Sequence, residues 1–142
     1  LWAASAFINS LHFLFLGTAS PAVITAITGA RFLLAGRDGG SWRFYFFIAA
    51  QLSAGYLTFS SPLSLLPLFA SLIGTVAVFF FSNANMRISM GICSLIWIAH
   101  NYLAGSPVAV VTEIIFLGSN FVGFQRMKKR WRAIEGASQK SN

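Results

Sequence analysis

Residues 97–130 read WIAHNYLAGSPVAVVTEIIFLGSNFVGFQRMKKR, an apolar hairpin that still carries His100, Asn101, Glu113 and Asn120. A carboxylate in such a setting is expensive unless it has a partner, a proton or water. A weaker copy begins 88 residues earlier at Asn9, where NSLHFLFLGTASPAVITAITGARFLL sets His12 against His100, Gly17 against Gly105, Thr18 against Ser106 and Val23 against Val111. The turn residues and the axial position of the histidine agree together, which reads as an internal duplication. The alternative is coincidence between two apolar hairpins.

Outward from this hairpin the whole chain is apolar. Of 142 residues 56% are hydrophobic and 9% charged, against about 25% charged in an average soluble domain, so a water-facing surface could not be covered. Apolar windows near the ~20 residues of a spanning helix follow one another almost without gaps. The sequence therefore predicts an all-α polytopic membrane protein with six transmembrane helices, at about 1–16, 21–35, 42–59, 63–81, 86–104 and 108–126. Residues 1–135 form one transmembrane domain, followed by a polar tail, 136–142. Within that domain 1–35 is a partial first repeat, 42–59 a linker helix and 63–130 a complete three-helix repeat. The run from Leu1 lacks a basic leader and a cleavage site, and does not read as a signal peptide.

The net charge is +7, but the cations sit at helix ends and in the tail, which marks topology rather than nucleic-acid binding. Arg37, Arg43, Arg87 and the C-terminal cluster fall at alternate loops, and the turns at 18–20, 60–62 and 105–107 carry no charge. The charged side, with the C-terminus, is expected to be cytoplasmic. Four crossings separate each helix from its copy, so the repeat is parallel. If the unit is three helices, the partner of the fourth helix lies before Leu1, and the arithmetic implies a seven-helix, 3+1+3 fold lacking its first helix here.

Cys93 is the only cysteine, which rules out an intrachain disulfide or a cysteine metal cluster. Two histidines 88 residues apart make no metal site, and there is no Gly-rich phosphate loop, nucleophile triad or paired-carboxylate site. No cofactor, metal or enzymatic activity is expected. The expected partners are the lipid bilayer and a small-molecule solute; oligomerisation stays open.

Candidate residues for a solute or proton path are Glu113, His100, Asn120, Asn101, Trp97, His12 and Arg31. His100 and Glu113 lie about 8 and 10 Å from the outer turn, level enough to pair. Glu113 and Asn120, seven apart, share one face. The competing reading of Glu113 is a structural bridge to His100. For His12, opposite Thr25, a hydrogen-bonded packing role suffices. Arg31 is expected to snorkel to the inner interface, with anion binding as the alternative and Gln51 as a neighbour at its level. Ser5, Asn9 and His12 form one stripe and Cys93, Trp97 and His100 another. Trp97 either packs or stacks on a solute ring. Pro67 is either a hinge or tolerated near a helix start.

The blocks SLHFLFLGTASPA, LLPLFASLIGTVAVFF and WIAHNYLAGSPVAVVTEIIFLGSNFVGFQRMKK resemble the YgjV-type family of bacterial inner-membrane proteins, over nearly all of the chain up to Arg132. His100, Asn101, Gly105, Glu113 and Asn120 are the most specific matches. The resemblance implies a multi-pass protein of the bacterial inner membrane. More remotely the pattern is similar to the SWEET, PQ-loop and nicotinamide-riboside transporter group, whose seven helices are arranged 3+1+3. That resemblance implies a carrier working by alternating access, with Trp97 and Asn120 at solute-lining places. The first copy has Asn9 and Phe32 there, and the Pro-Gln dipeptide is absent.

Overall fold

The computed structural model describes residues 2–34 and 41–140, with side chains through 132 except that of residue 83. Six α-helices follow one another: α1 Trp2–Phe15, α2 Ala19–Leu34, α3 Trp42–Leu57, α4 Leu65–Phe80, α5 Asn83–Leu103 and α6 Pro107–Lys140, with a 3-10 turn at Pro62–Ser64 before α4. No strand occurs among the described residues. The polar loop 36–40, with Arg37, and residues 141–142 of the tail lie outside the described residues.

The helix ends follow from local chemistry. α1 stops because Gly17 takes φ +71°, and α5 because Gly105 takes φ +70°, a region open to glycine and costly to other residues. In both turns the third residue beyond the helix donates back to the carbonyl of the helix's third-last residue (Thr18 N to Phe13 O, 3.0 Å; Ser106 N to Asn101 O, 2.9 Å). The glycine N–H donates to Leu14 O in one and Tyr102 O in the other, at 3.0 and 3.1 Å. This is the Schellman closure, which satisfies carbonyls a helix end would otherwise leave open. Pro62 opens the 3-10 turn, and Pro67 is the third residue of α4, where a missing N–H costs nothing. Pro67 is thus an ordinary start residue rather than a mid-helix break. α6 runs helical to Lys140, well past the end expected near 126 and into the polar tail.

Helices α1 and α2 form one hairpin and α5 and α6 another. α4 packs on α2, α3 and α5, and α3 packs on α2 and α4. The buried face of α4 is Pro67, Ala70, Ser71, Gly74, Thr75 and Ala77, small residues at three- and four-residue spacing that let helices approach closely.

Burial is inverted relative to a water-soluble protein. Among the described residues fifteen polar or charged side chains are buried against ten apolar ones, while Phe15 and Tyr56 are 90% and 84% exposed. Water would penalise such a surface, and hydrocarbon would not. The stretches Pro62–Phe80 (19 residues) and Pro107–Arg132 (26 residues) are long and apolar enough to cross a bilayer. Only 39% and 17% of their apolar windows are buried, unlike a soluble core helix. α5 has the length without the apolarity. α1, α2 and α3 have 14, 16 and 16 residues, about 21–24 Å, short of the ~30 Å hydrocarbon core. By length and composition, two of the six expected spans meet the requirement.

Candidate functional site

A cavity of about 100 Å³ lies between the two hairpins, closed on one side by α4. Its lining from α1 is Trp2, Ser5, Ala6, Asn9 and Phe13. Its lining from α5 is Met90, Cys93, Ser94, Trp97 and Asn101, each 88 residues later. From α2 come Thr25, Thr28 and Phe32, and from α6 their 88-residue counterparts Glu113, Phe116 and Asn120. Arg31 is the one lining residue of the first hairpin whose counterpart, Ser119, does not line the space.

Of the residues singled out in the sequence, Trp97, Asn101, Glu113, Asn120 and Arg31 meet at this cavity, whereas His12 and His100 do not line it. The expected pairing of His100 with Glu113 is replaced by two separate arrangements. His100 Nδ1 lies 3.2 Å from the Leu63 carbonyl oxygen, and its Nε2 has no partner. Glu113 lies beside Ser94 of α5. His12 turns from Thr25 to the other hairpin, with Nε2 3.0 Å from Ser106 Oγ, while the Thr25 hydroxyl donates to Pro21 O of its own helix at 2.7 Å. In α1 the expected stripe residues Ser5 and Asn9 line the cavity, as do Cys93 and Trp97 in α5, but the third place is taken by the next residue, Phe13 and Asn101, and the histidines fill helix seams. An imidazole bonds readily to a neighbouring hydroxyl or carbonyl, and the seams supply both.

Arg31 does not snorkel. It is 2% exposed, donating from Nη1 to the Ser71 carbonyl at 3.0 Å and to the Thr75 hydroxyl. Gln51 Nε2 donates to the same hydroxyl at 2.8 Å, so the two meet through Thr75. The guanidinium carbon also stands 5.0 Å from the centre of the Phe32 ring. A Cβ at residue 74 would come within 3.3 and 3.5 Å of the guanidinium nitrogens; Gly74 leaves them that room. Both acceptors are neutral oxygens, and Nε has none among the described residues. Arg31 is in the last turn of α2, and a charged side chain enclosed among membrane helices is costly unless it is paired or serves a function, so this placement demands a structural or functional return.

On the aromatic side, Trp97 stacks on Phe13 with ring centroids 5.7 Å apart, and Trp2 meets Phe116 at 5.3 Å. These contacts join α1 to α5 and α6. Toward the cationic end a larger open cavity of about 1040 Å³ shares Trp2, Phe32, Met90 and Asn120 with the first, and its wall carries Arg87, Arg126, Lys129 and Arg130.

Ser94, Ser71 and Thr75 were not singled out from the sequence. Ser94 stands three residues before Trp97 and seven before Asn101, a helical spacing that marks it. Ser71 and Thr75 look like any small residues of an apolar helix. No group of three or more potential metal ligands occurs among the described residues.

Exposed apolar helices around a buried polar interior define an integral membrane protein. The comparisons with known proteins then fix its kind. Residues 1–131 match the Imp-YgjV family, described as a bacterial inner membrane protein, and the chain belongs to that family. It is similar to the inner membrane protein YgjV of Escherichia coli (strain K12), 36% identical over 124 residues, which cover 84% of this chain and 67% of that protein. No solved structure matches.

Proposed function

We propose that this protein is a non-enzymatic, carrier-like protein that moves a small polar solute across the inner membrane by alternating access between two three-helix units. The observation that supports this most is the correspondence of the cavity lining, in which eight positions from α1 and α2 recur 88 residues later in α5 and α6. A cavity between two equivalent hairpins is where a parallel repeat puts a solute site. In this reading α4–α6 is one unit, α1–α2 belongs to the other, α3 is the linker, and the fold is 3+1+3. The short helices α1–α3 then cross by local bilayer thinning or with flanking residues. The cationic end and the C-terminus face the cytoplasm.

Uptake by proteoliposomes of the full-length protein, with a labelled sugar, amino acid and nucleoside as probes, tests the proposal. Flux of one probe is expected to fall at least tenfold in both Glu113→Gln and Asn120→Ala, and unchanged flux in both variants would overturn the site.

A second reading has its own support in the hydrogen bonds from Arg31 and Gln51 to Thr75, which tie α2, α3 and α4 together. Here the protein is a non-transporting structural or partner-binding subunit and its polar groups lock helices. Absence of flux for every probe, with Thr75→Val strongly destabilising, favours it.

A further inference from the structure

The larger cavity at the cationic end carries charge that no described side chain offsets. Arg87 of α5 and Arg126, Lys129 and Arg130 of α6 line it. Glu113, the one acidic side chain among the described residues, lines the central cavity and not this one.

Cations at the end of a spanning helix mark its cytoplasmic side whichever way they point, so their number alone assigns no site. Their placement does. Asn120, Gly123, Arg126, Met127 and Arg130 follow at three- and four-residue steps and all line the cavity. One face of α6 therefore runs from the central cavity, which Asn120 also lines, out into the basic cluster. Lys128, on the same helix, lines a different space beside Trp131. From α5, Arg87 lies over Gly123, where a Cβ would collide with its Nη1 and stand 2.6 Å from Cζ. Glycine leaves that place to the guanidinium. Arg126 stands nineteen residues beyond Pro107, the start of α6, about 29 Å along the axis. That matches the ~30 Å hydrocarbon core, so the cluster is at headgroup level.

We infer that this cavity is a binding site for a phosphate-bearing anion. Four cations without a carboxylate on one wall call for a ligand with more than one negative charge, and a single carboxylate would leave most of that charge unmatched. The planar fork of an arginine fits two phosphate oxygens at once. At about 1040 Å³ the cavity is as large as sites that hold whole organic ligands. Trp2, Phe32 and Met90, where it joins the central cavity, give the rest of the ligand an apolar wall. Phosphate at this level comes from a soluble phosphate compound or from an anionic phospholipid headgroup, and both present the same oxygens to the same cations. The site stands whether or not the protein transports.

The full-length protein in phosphatidylcholine nanodiscs tests both sources. Calorimetric titration with pyrophosphate and with acetate reads the soluble one, and native mass spectrometry after addition of cardiolipin, which carries two phosphates, reads the lipid one. Pyrophosphate binding at least tenfold tighter than acetate assigns the soluble source. Retained cardiolipin without pyrophosphate binding assigns the lipid source. Binding of neither, or acetate binding as tightly as pyrophosphate, would overturn the site. Lys128→Gln and Lys129→Gln remove the same charge from adjacent exposed residues, and only the second lies on the cavity wall. Affinity for the bound probe is expected to fall at least fivefold in Lys129→Gln and in Arg87→Gln, and to stay within twofold in Lys128→Gln. Equal losses in the two lysine variants would reduce the binding to general attraction by a basic tail and overturn the inference.

Discussion

At the α1–α2 turn Leu16, Gly17, Thr18 and Ala22 donate to the carbonyls of His12, Leu14, Phe13 and Thr18. At the α5–α6 turn Ala104, Gly105, Ser106 and Val110 donate to those of His100, Tyr102, Asn101 and Ser106. Every donor and acceptor is displaced by 88 residues. Along the cavity the same two hairpins differ: Phe13 stands where the other has Asn101, Thr25 where it has Glu113, and Phe32 where it has Asn120. Among the described residues that line the cavity, the one cation, Arg31, is in the first hairpin and the one carboxylate, Glu113, in the second. Turns answer to a backbone requirement that any such hairpin must meet, whereas lining side chains answer to the surroundings of the space between the hairpins.

The histidines show how the difference arises. His12 reaches across to Ser106. The reciprocal contact would be His100 to Thr18, but the Thr18 hydroxyl donates to Phe13 O at 3.0 Å, and His100 is instead beside the Leu63 carbonyl. One hydroxyl committed to its own helix end is enough to break the symmetry of the pair.

The comparison can be broken most strongly at Arg31. Arg31→Met is expected to lower flux in the uptake assay at least tenfold while leaving the fold intact, because an apolar side chain of similar length replaces a buried charge at little net cost. Ser119→Met, at the counterpart place outside the cavity, should leave flux within twofold. Equal losses in the two variants would remove the functional distinction between the hairpins.

Next in size are the turns. Gly17→Ala and Gly105→Ala should each lower stability by about 1–2 kcal/mol, the cost of a left-handed backbone with a Cβ. Nothing stands within 4 Å of a Cβ at either place, so the two losses should agree closely in unfolding titrations from bicelles. A large inequality would show that the turns are not equivalent.

The smallest effect sharpens the comparison at the histidines. A double-mutant cycle of His12→Ala with Ser106→Ala should return a coupling of about 0.6 kcal/mol, the average for hydrogen bonds between membrane helices. The same cycle on His100 and Thr18 should return none. Coupling of similar size in both would mean that the two copies share one arrangement of this contact.

Much of the architecture was legible because it is local. Gly17 and Gly105 mark helix ends whatever surrounds them, and the helix bounds differ from the sequence expectation by up to three residues, except at the C-terminal end of α6. The longest shift among the other ends is at the start of α5, where Asn83 rather than Met86 begins the helix and no apolar residue announces it. The candidate site was less legible. Glu113, Asn101 and Asn120 stood out as polar groups in apolar helices. Ser71 and Thr75 did not, because small hydroxyls leave no mark in an apolar pattern: that of Thr75 donates to the Ser71 carbonyl of its own helix, and that of Ser71 finds Thr28 of α2 only in the folded protein.

The sequence by itself determined an apolar, helical membrane protein with two like hairpins, since composition sets the solvent a chain can face and glycine sets where its helices close. Only the tertiary structure decided that the histidines leave the cavity, that Arg31 is held inward by Ser71 and Thr75, and that Glu113 meets Ser94. One position along a helix is a turn of about 100°. The rotation that chooses Asn101 over His100 as a cavity residue is therefore set by neighbouring helices, which no single segment encodes.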